Sequence, residues 1–234
     1  MWILGCMMKK DMNLYMNIKD WIKGNIHEGS TIIEAGACEG IDTVFFSEIV
    51  GNGHVYSFEP IPDLYSQALI NINGRNNVEL VNKALSDKNG KSKMYVSDRF
   101  GQSWGSSSIL KPKDHLTNHK DITFKEEIEI DTINLDDWYK DKSINFVDLM
   151  WLDLQGYESV VLKSSPLILS KTRYLYTEVS LVELYEDGMI YEKYKSYLEE
   201  NNFEVVFDEI YWVDGGNVLF KNKLCRYVAK FSKR

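Results

Sequence analysis

Residues 30–59 read STIIEAGACEGIDTVFFSEIVGNGHVYSFE, and the pattern of this segment indicates the fold. A short apolar run ends in Glu34, and a loop of small residues follows at positions 35–40. Apolar residues then recur at helical spacing from Ile41, and a second β-like run, residues 54–58, ends in Glu59. The order strand, glycine loop, helix, strand, acid is typical of the first unit of a nucleotide-binding α/β sheet.

The loop has the properties of a ligand site. Gly36 and Gly40 allow the backbone to approach a bound molecule closely. The helix that follows begins with N–H groups that have no partner within the helix, and these favour a carboxylate or a phosphate. Glu59 ends the next strand, where its carboxylate can accept hydrogen bonds from both ribose hydroxyls of a nucleoside.

The spacing of the loop argues against a dinucleotide. The NAD fingerprint is G-x-G-x-x-G, whereas residues 34–40 read E-x-G-x-x-x-G. An acid at the strand end repels a pyrophosphate but suits a cationic ligand. S-adenosylmethionine (SAM) carries an ammonium group, a sulfonium, a carboxylate and a ribose, and it therefore fits the segment best. The alternative is a plain βαβ unit whose glycines serve only turns.

Composition narrows the class of protein. The chain has 234 residues and a net charge of −8, from 35 acids and 27 bases, which disfavours a broad nucleic-acid surface. Its cysteines, Cys6, Cys38 and Cys225, have neither zinc-ligand nor disulfide-framework spacing, which fits a reducing compartment. No signal peptide or membrane-spanning run is evident, and we therefore expect a cytoplasmic protein.

The chain divides into a helical lead-in, residues 1–29, and one domain, residues 30–234, with an insertion of loops and strands at about 92–130. Leu14, Ile18, Trp21 and Ile22 keep helical spacing, which predicts a helix that covers the sheet or the cofactor cleft. In the insertion, the polar, glycine-rich residues 100–108 predict a lid or substrate loop, with a mobile surface loop as the alternative.

Strands and helices alternate through the rest of the domain. Pro62 suits the first turn of a helix, and residues 78–85 predict a third strand. Residues 146–152 are apolar enough for a strand buried on both faces. Further strands are expected at 174–179, 203–207 and 218–220, with a helix at 189–200. This order predicts a doubly wound α/β fold, mostly parallel, with an antiparallel hairpin at its C-terminal edge.

Segments in the second half carry a resemblance to a known family. Residues 131–137 read DTINLDD and residues 153–158 read DLQGYE, and ALSD at 84–87 and NVLF at 217–220 add to the pattern. With the loop near the front, this ordered set resembles the FkbM family of class I SAM-dependent methyltransferases over residues 30–221. The resemblance implies the Rossmann-like class I methyltransferase sheet, SAM as the cofactor, and O-methylation of a hydroxyl on a sugar, glycan or other small molecule.

The resemblance also implies roles for particular residues. Around the methionine part of SAM it implies Glu34, Gly36 and Cys38, with Thr43 bonding the carboxylate. Glu59 would hold the ribose beside Pro60, and Ala84 and Leu85 would lie near the adenine. Asp153 and Gln155 would face the methyl group and the acceptor. The catalytic set that it implies at this pocket is Asp153, Glu158 and Glu178.

Several alternatives stay open at this stage. The base that takes the proton of an acceptor hydroxyl is Asp153 or a loop histidine, His115 or His119. The three acids of the catalytic set could also hold a divalent cation, which we do not predict. Trp104, Trp138 and Trp151 are candidates to stack on sugar rings, although core packing is the commoner role of tryptophan.

Rival functions are methylation of RNA or protein, and SAM binding without catalysis as a partner subunit. The motifs of amino-methylating DNA enzymes and the Pro-Cys nucleophile of cytosine C5 methylation are absent from the sequence. The sequence does not determine the oligomeric state.

Overall fold

The structure is a computed structural model that describes residues 17–103, 105–142 and 144–225. Its strands are β1 Thr31–Ala35, β2 His54–Phe58, β3 Val78–Val81, β4 Ala84–Ser86, β5 Gly90–Arg99, β6 Gln102–Ser103, β7 Thr123–Asn134, β8 Val147–Leu152, β9 Thr172–Ser180, β10 Phe203–Glu209 and β11 Gly215–Asn222. Its helices are α1 Ile18–Asn25, α2 Ile41–Val50, α3 Pro62–Asn71, α4 His115–Asn118, α5 Leu135–Lys140, α6 Glu158–Ser164, α7 Pro166–Lys171 and α8 Tyr191–Glu200.

The main sheet has the strand order β10-β11-β9-β8-β1-β2-β3. The strands from β9 to β3 run parallel to their neighbours. The last strand, β11, lies between β9 and β10 and is antiparallel to both. The prediction of a doubly wound, mostly parallel sheet with an antiparallel hairpin at its C-terminal edge is therefore confirmed.

Apolar side chains cover both faces of this sheet, as its parallel strands require. Successive residues of β1 point to opposite faces, so that Ile32 belongs to the core on the side of α1 and α2, and Ile33 to the core on the side of α5 to α8. Helix α1 covers the sheet rather than a cleft, since Trp21 packs edge-on against Tyr174 of β9 at 4.7 Å. Leu14, which the sequence pattern placed on this helix, lies outside the described residues.

A second sheet, of order β4-β7-β5-β6, packs beside the first. The prediction of one strand over residues 78–85 is therefore wrong, because β3 belongs to the main sheet and β4 belongs to the second sheet. The chain changes sheet at Asn82, whose side-chain amide donates to the carbonyls of Glu59, at 2.8 Å, and of Pro60, at 3.2 Å. Helix α4 is a further difference, since no helix was predicted between residues 92 and 130.

No helix in the described parts of the chain is long and apolar enough to cross a membrane.

The segment DTINLDD builds the joint between the two sheets. Asn134 caps α5 by accepting from the backbone N–H groups of Asp136, at 3.0 Å, and Asp137, at 3.1 Å. The buried carboxylate of Asp136 in turn accepts from the N–H groups of Leu167 and Ile168 at the start of α7, both at 2.8 Å. This part of the motif therefore holds two helix ends in place.

We expect Asp136→Ala to destabilise the fold, because two backbone N–H groups at the start of α7 would be left without their charged acceptor. The loss should be about 2 kcal/mol or more in the free energy of unfolding, measured with urea. Asp137→Ala is the matched control, since its exposed side chain pairs with Lys140 at the surface and its removal should change stability little. Equal effects of the two substitutions would contradict this role of Asp136.

Candidate active site

A cavity opens at the carboxyl ends of β1, β2 and β8, and the second sheet closes it on one side. The described residues that line it are Ala35, Gly36, Cys38, Phe58, Glu59, Pro60, Ile61, Leu64, Lys83, Ala84, Leu85, Met94, Gly105, Ser107, Ile109, Asp153, Leu154, Gln155 and Tyr157. We call this the first cavity.

The glycine loop forms its floor. The N–H groups of Gly36 and Ala37 both donate to the carbonyl of Phe58 at 3.1 Å, which ties the ends of β1 and β2 together. Gly36 has φ +86°, and a Cβ built on it would lie 2.1 Å from the carbonyl oxygen of Asp153. Only glycine therefore allows the loop after β1 to lie this close to the loop after β8.

Glu59 is held rigidly at the edge of the first cavity. One carboxylate oxygen accepts from the N–H of Cys38 and the other from the N–H of Ile61, each at 2.8 Å. The side chain is 4% exposed. Burial raises the pKa of Glu59 from 4.5 to about 7, against the opposing effect of these two hydrogen bonds. Each oxygen keeps a lone pair with which to accept a further hydrogen bond.

Glu34 and Thr43 do not line the first cavity. Glu34 is 1% exposed, and its Oε2 accepts from the hydroxyls of Thr43, at 2.5 Å, and Ser57, at 2.6 Å. Burial raises the pKa of Glu34 to about 7. Their polar atoms bond to each other beneath the glycine loop, so that contact of these two side chains with a ligand stays a prediction.

The far wall of the first cavity is apolar. Ile61 and Leu64, at the start of α3, pack against Ala84 and Met94 of the second sheet. Ile109 packs against the same cluster. The predicted neighbours Pro60, Ala84 and Leu85 all lie on the cavity lining. An apolar slot next to a fixed carboxylate can bury a flat heteroaromatic ring and bond to polar groups attached to it.

A second cavity adjoins the first. Gly105, Asp153 and Gln155 line both cavities. Its other described lining residues are Ser106, His115, His119, Ile122, Glu178, Val179, Leu184, Trp212, Asp214 and Gly215. More acidic and histidine side chains therefore line the second cavity than the first, and Asp153 lies at the point where they meet.

Two carboxyl groups at this junction are joined through one amide. Nε2 of Gln155 donates to Oδ1 of Asp153, at 2.7 Å, and to Oε2 of Glu178. The Asp153 side chain is exposed within the cavity, and desolvation by the protein atoms packed around it raises its pKa above 3.8. Burial and repulsion from Asp153 raise the pKa of Glu178 well above 4.5. The pair therefore retains protons at a higher pH than ordinary carboxyl groups do.

Gln155 is positioned by its backbone and by side chains remote in sequence. It has φ +53°, an uncommon conformation for a residue other than glycine. The hydroxyl of Ser108 donates to its carbonyl at 2.8 Å, and the hydroxyl of the buried Tyr185 lies 2.9 Å from its Oε1. Tyr185 also donates to the carbonyl of Ser106 at 2.7 Å. Sequence reasoning singled out neither side chain, because Ser108 was included only in the predicted loop 100–108 and no motif marks Tyr185.

Glu158 supports the same turn from behind. It is 5% exposed, and its Oε1 accepts from the N–H of Leu154 at 2.7 Å. Burial raises its pKa to about 7. Glu158 lines neither the first nor the second cavity. It borders a smaller pocket together with Glu178, and its place beside the reacting groups stays a prediction. The DLQGYE motif thus combines cavity residues with a residue that holds their loop.

Three further findings concern the tryptophans, Asp214 and metal binding. Trp138 is buried in the core and Trp151 packs on Tyr176 at 4.3 Å, while Trp104 lies outside the described residues. Among the described tryptophans, the half-exposed Trp212 lines the second cavity. Asp214, for which no sequence motif indicated a role, lies there as well. Among the described residues, no group of three or more His, Cys, Asp or Glu side chains is arranged to hold a metal ion.

Comparisons with known proteins agree with this geometry. The family model described as methyltransferase FkbM domain matches residues 34–205. NoeI, a 2-O-methyltransferase of Sinorhizobium fredii (strain NBRC 101917 / NGR234), is 32% identical over 196 residues, which make up 82% of this chain and 80% of NoeI.

Two solved structures are similar in fold. Fibrillarin of Aeropyrum pernix, crystallised with natively bound SAM, has 13% identity and a TM-score of 0.50, covering 87% of this chain and 73% of that one. The fibrillarin pre-rRNA processing protein of Methanococcus jannaschii has 15% identity and a TM-score of 0.52, covering 84% of this chain and 68% of that one. At these identities the likeness shows the fold.

We expect Gly36→Ala to disrupt the first cavity, because its Cβ would collide with the backbone of Asp153. The free energy of unfolding should fall by about 1–3 kcal/mol, the cost of a strained backbone. The affinity for S-adenosylhomocysteine, measured by calorimetry, should fall at least about tenfold. Gly74→Ala is the control, since Gly74 also has a positive φ, +80°, but nothing lies within 4 Å of its built Cβ. Unchanged S-adenosylhomocysteine affinity in Gly36→Ala would contradict the placement of the ligand on this loop.

Proposed function

The chain belongs to the FkbM methyltransferase family, and we propose that it transfers the methyl group of SAM to a hydroxyl of a sugar, a glycan or another small molecule. SAM-dependent methyl transfer is the activity of the family. The proposal concerns the acceptor and the residues that bind each substrate. The observation that supports it most is that a cavity with an apolar slot beside Glu59 meets, at Asp153, a cavity lined by several acids and histidines.

The first cavity fits SAM. The carboxylate of Glu59 is fixed by two backbone N–H groups, and its remaining lone pairs would accept the ribose hydroxyls. The apolar slot between Ile61, Leu64 and Met94 would take the adenine. Gly36 and Cys38 would lie along the methionine part, and Glu34 and Thr43 would support their loop from below. When bound, SAM supplies an electrophilic methyl carbon on its positively charged sulfur.

Acidic side chains of the site favour such a cation. Glu59 and Asp153 line the first cavity, and a positive charge within a few ångströms of them is stabilised strongly where water is excluded. The same charge favours the ionised form of each carboxyl group. The chain's acids would therefore orient the cofactor with its sulfonium toward the junction of the cavities.

The second cavity suits a hydroxylated acceptor. Carboxyl and amide groups of Asp153, Gln155 and Glu178 can bond to several hydroxyls, and Trp212 offers a face for a sugar ring. Holding an acceptor oxygen in line with the methyl carbon and sulfur is the main requirement of this reaction. The name of NoeI, a 2-O-methyltransferase, also favours oxygen as the acceptor atom.

A cytoplasmic location is part of the proposal. Cys38 and Cys225 are free thiols, as is usual in a reducing compartment. The net charge of −8 supports a small or uncharged acceptor over a nucleic acid, whose phosphates an acidic surface repels.

The acceptor class is tested by transfer of tritiated methyl groups from SAM to methyl glycosides, oligosaccharides, RNA and a protein extract. We expect incorporation into glycosides or oligosaccharides, and incorporation only into RNA or protein would refute the proposal.

Asp153→Asn should lower kcat at least about a hundredfold, the scale of a general acid, base or polar contact in the transition state. Asp20→Asn, on the opposite face of the main sheet, should retain the parental rate.

Glu59→Ala should weaken SAM binding by about 2 kcal/mol or more, the scale of hydrogen bonds to a charged group. Because Glu59 is partly protonated near its raised pKa of about 7, and a cation favours its carboxylate, SAM affinity should rise with pH between about 5 and 7 and then level off. Calorimetry across this range should show that the rise is smaller in Glu59→Ala. Glu39→Ala, an exposed acid of the same loop, should retain both affinity and pH dependence.

A further inference from the structure

A histidine and a carboxylate form a pair on the wall of the second cavity. Nε2 of His119 lies 2.8 Å from Oδ2 of Asp214. The Asp214 side chain is 10% exposed, and the amide of Asn118 also donates to its Oδ2, at 3.2 Å. Since a carboxylate only accepts, this contact makes Nε2 the protonated nitrogen of a neutral His119 ring. Nδ1 is then the nitrogen with a free lone pair.

His115 supports this ring without adding a charge. The two imidazoles lie 4.6 Å apart, with an angle of 38° between their planes, and His115 also packs edge-on against Phe124. Burial lowers the pKa of His115 from 6.5 to about 4, so that it stays neutral near neutral pH. Its Nδ1 is buried and has no hydrogen-bond partner among the described residues. His115 therefore serves as a neutral platform for His119.

The segment that carries both histidines is anchored to the segment after β9. The N–H groups of Lys113 and His115 both donate to the carbonyl of Leu184, at 2.9 and 3.1 Å. Leu184 itself lines the second cavity, next to Tyr185 in the chain. Backbone hydrogen bonds therefore tie the segment of the two histidines to the segment after β9.

The charged groups around His119 are few among the described residues. Asp214 contacts it directly, and His115 packs against it. Asp121 is close enough to influence His115, but it forms an ion pair with Arg99 at 2.5 Å. Lys120 is its neighbour in the chain. Across the second cavity lie Asp153 and Glu178. His119 is about one third exposed, so that a proton on it can pass to solvent.

Asp153 is less suited than His119 to take a proton from an acceptor. It lines the first cavity as well as the second and already accepts from Gln155. A cationic cofactor in the first cavity would stabilise its carboxylate and so make it a weaker base. His119 lines only the second cavity, and the carboxylate of Asp214 stabilises the charged ring that proton uptake produces.

We propose that His119, oriented by Asp214, is the general base that deprotonates the acceptor hydroxyl, an inference that rests on the function proposed above. The acceptor O–H bond breaks as its proton passes to Nδ1 of His119, and the oxygen forms its bond to the methyl carbon. The sulfur–methyl bond breaks, and its electron pair returns to sulfur. The products are a methyl ether, S-adenosylhomocysteine and a protonated His119, which loses its proton to water.

His119→Gln tests this role, because the amide can still donate to Asp214 but cannot take up a proton. With the best methyl glycoside of the acceptor screen as the probe, kcat should fall about 10²- to 10⁴-fold, the usual contribution of a general base. The affinity for S-adenosylhomocysteine should stay unchanged. The fall in kcat toward acid pH should disappear in His119→Gln and persist in Asp153→Asn. A kcat within threefold of the parental value, or an acid limb that survives in His119→Gln, would overturn the proposal.

His54→Gln is the matched control, since His54 is exposed at the start of β2, at the opposite end of the strand from the cavities. It should retain the parental rate and pH profile. A loss of kcat equal to that of His119→Gln would also overturn the proposal, because the effect would then not belong to the cavity.

A spectroscopic test does not depend on turnover. In the protein with ¹⁵N-labelled histidine, neutral His119 should show the tautomer protonated at Nε2, and Asp214→Ala should lower the fraction of this tautomer toward that of a free imidazole. A tautomer protonated at Nδ1, or no change in Asp214→Ala, would overturn the proposal even if no acceptor were found. If the unsubstituted enzyme shows the Nε2 tautomer but transfers no methyl group to any acceptor of the screen, the result would instead count against the proposed acceptor class.

Discussion

Close contact between two backbone segments at the carboxyl edge of the main sheet is the constraint on which the site depends. The loop after β1 and the loop after β8 approach so closely that residue 36 has no room for a side chain. The N–H of Asp153 also donates to the carbonyl of Ala35 at 3.0 Å. These contacts fix Asp153 against the glycine loop, and they make it a wall of both cavities at once.

Around this contact the protein buries an unusual number of acids. The pKa values of Glu34, Glu59 and Glu158 are all raised to about 7, chiefly by burial. Each of them accepts hydrogen bonds: Glu34 from two hydroxyls, Glu59 from two backbone N–H groups and Glu158 from one. Burying charge without compensation is costly, and these bonds supply part of the compensation. A cationic ligand would supply more, which links the binding of SAM to the stability of its own site.

The second sheet converts a common nucleotide-binding scaffold into a site with two compartments. Met94 of β5, together with Ile109, builds the apolar side of the first cavity, and Gly105 and Ser106 border the second. Tyr185 lies in the segment after β9, and its hydroxyl donates to the carbonyl of Ser106 and lies 2.9 Å from Oε1 of Gln155. These contacts join the second sheet to the motif after β8, so that the shape of the second cavity depends on both sheets.

The sequence by itself determined the order of elements, the parallel sheet and the identity of the acids at its carboxyl edge. Glycine spacing, apolar periodicity and the acids that end two strands are local signals, and parallel strands bring Glu59 and Asp153 to one edge whatever surrounds them. The tertiary structure alone decided that Glu34 and Thr43 bond to each other, because whether a hydroxyl faces a ligand or a neighbour depends on packing. It also divided residues 78–85 between two sheets and brought His119 to Asp214, 95 positions away in the chain. A cavity wall is made of residues that are distant in sequence, and no local pattern records which of them meet.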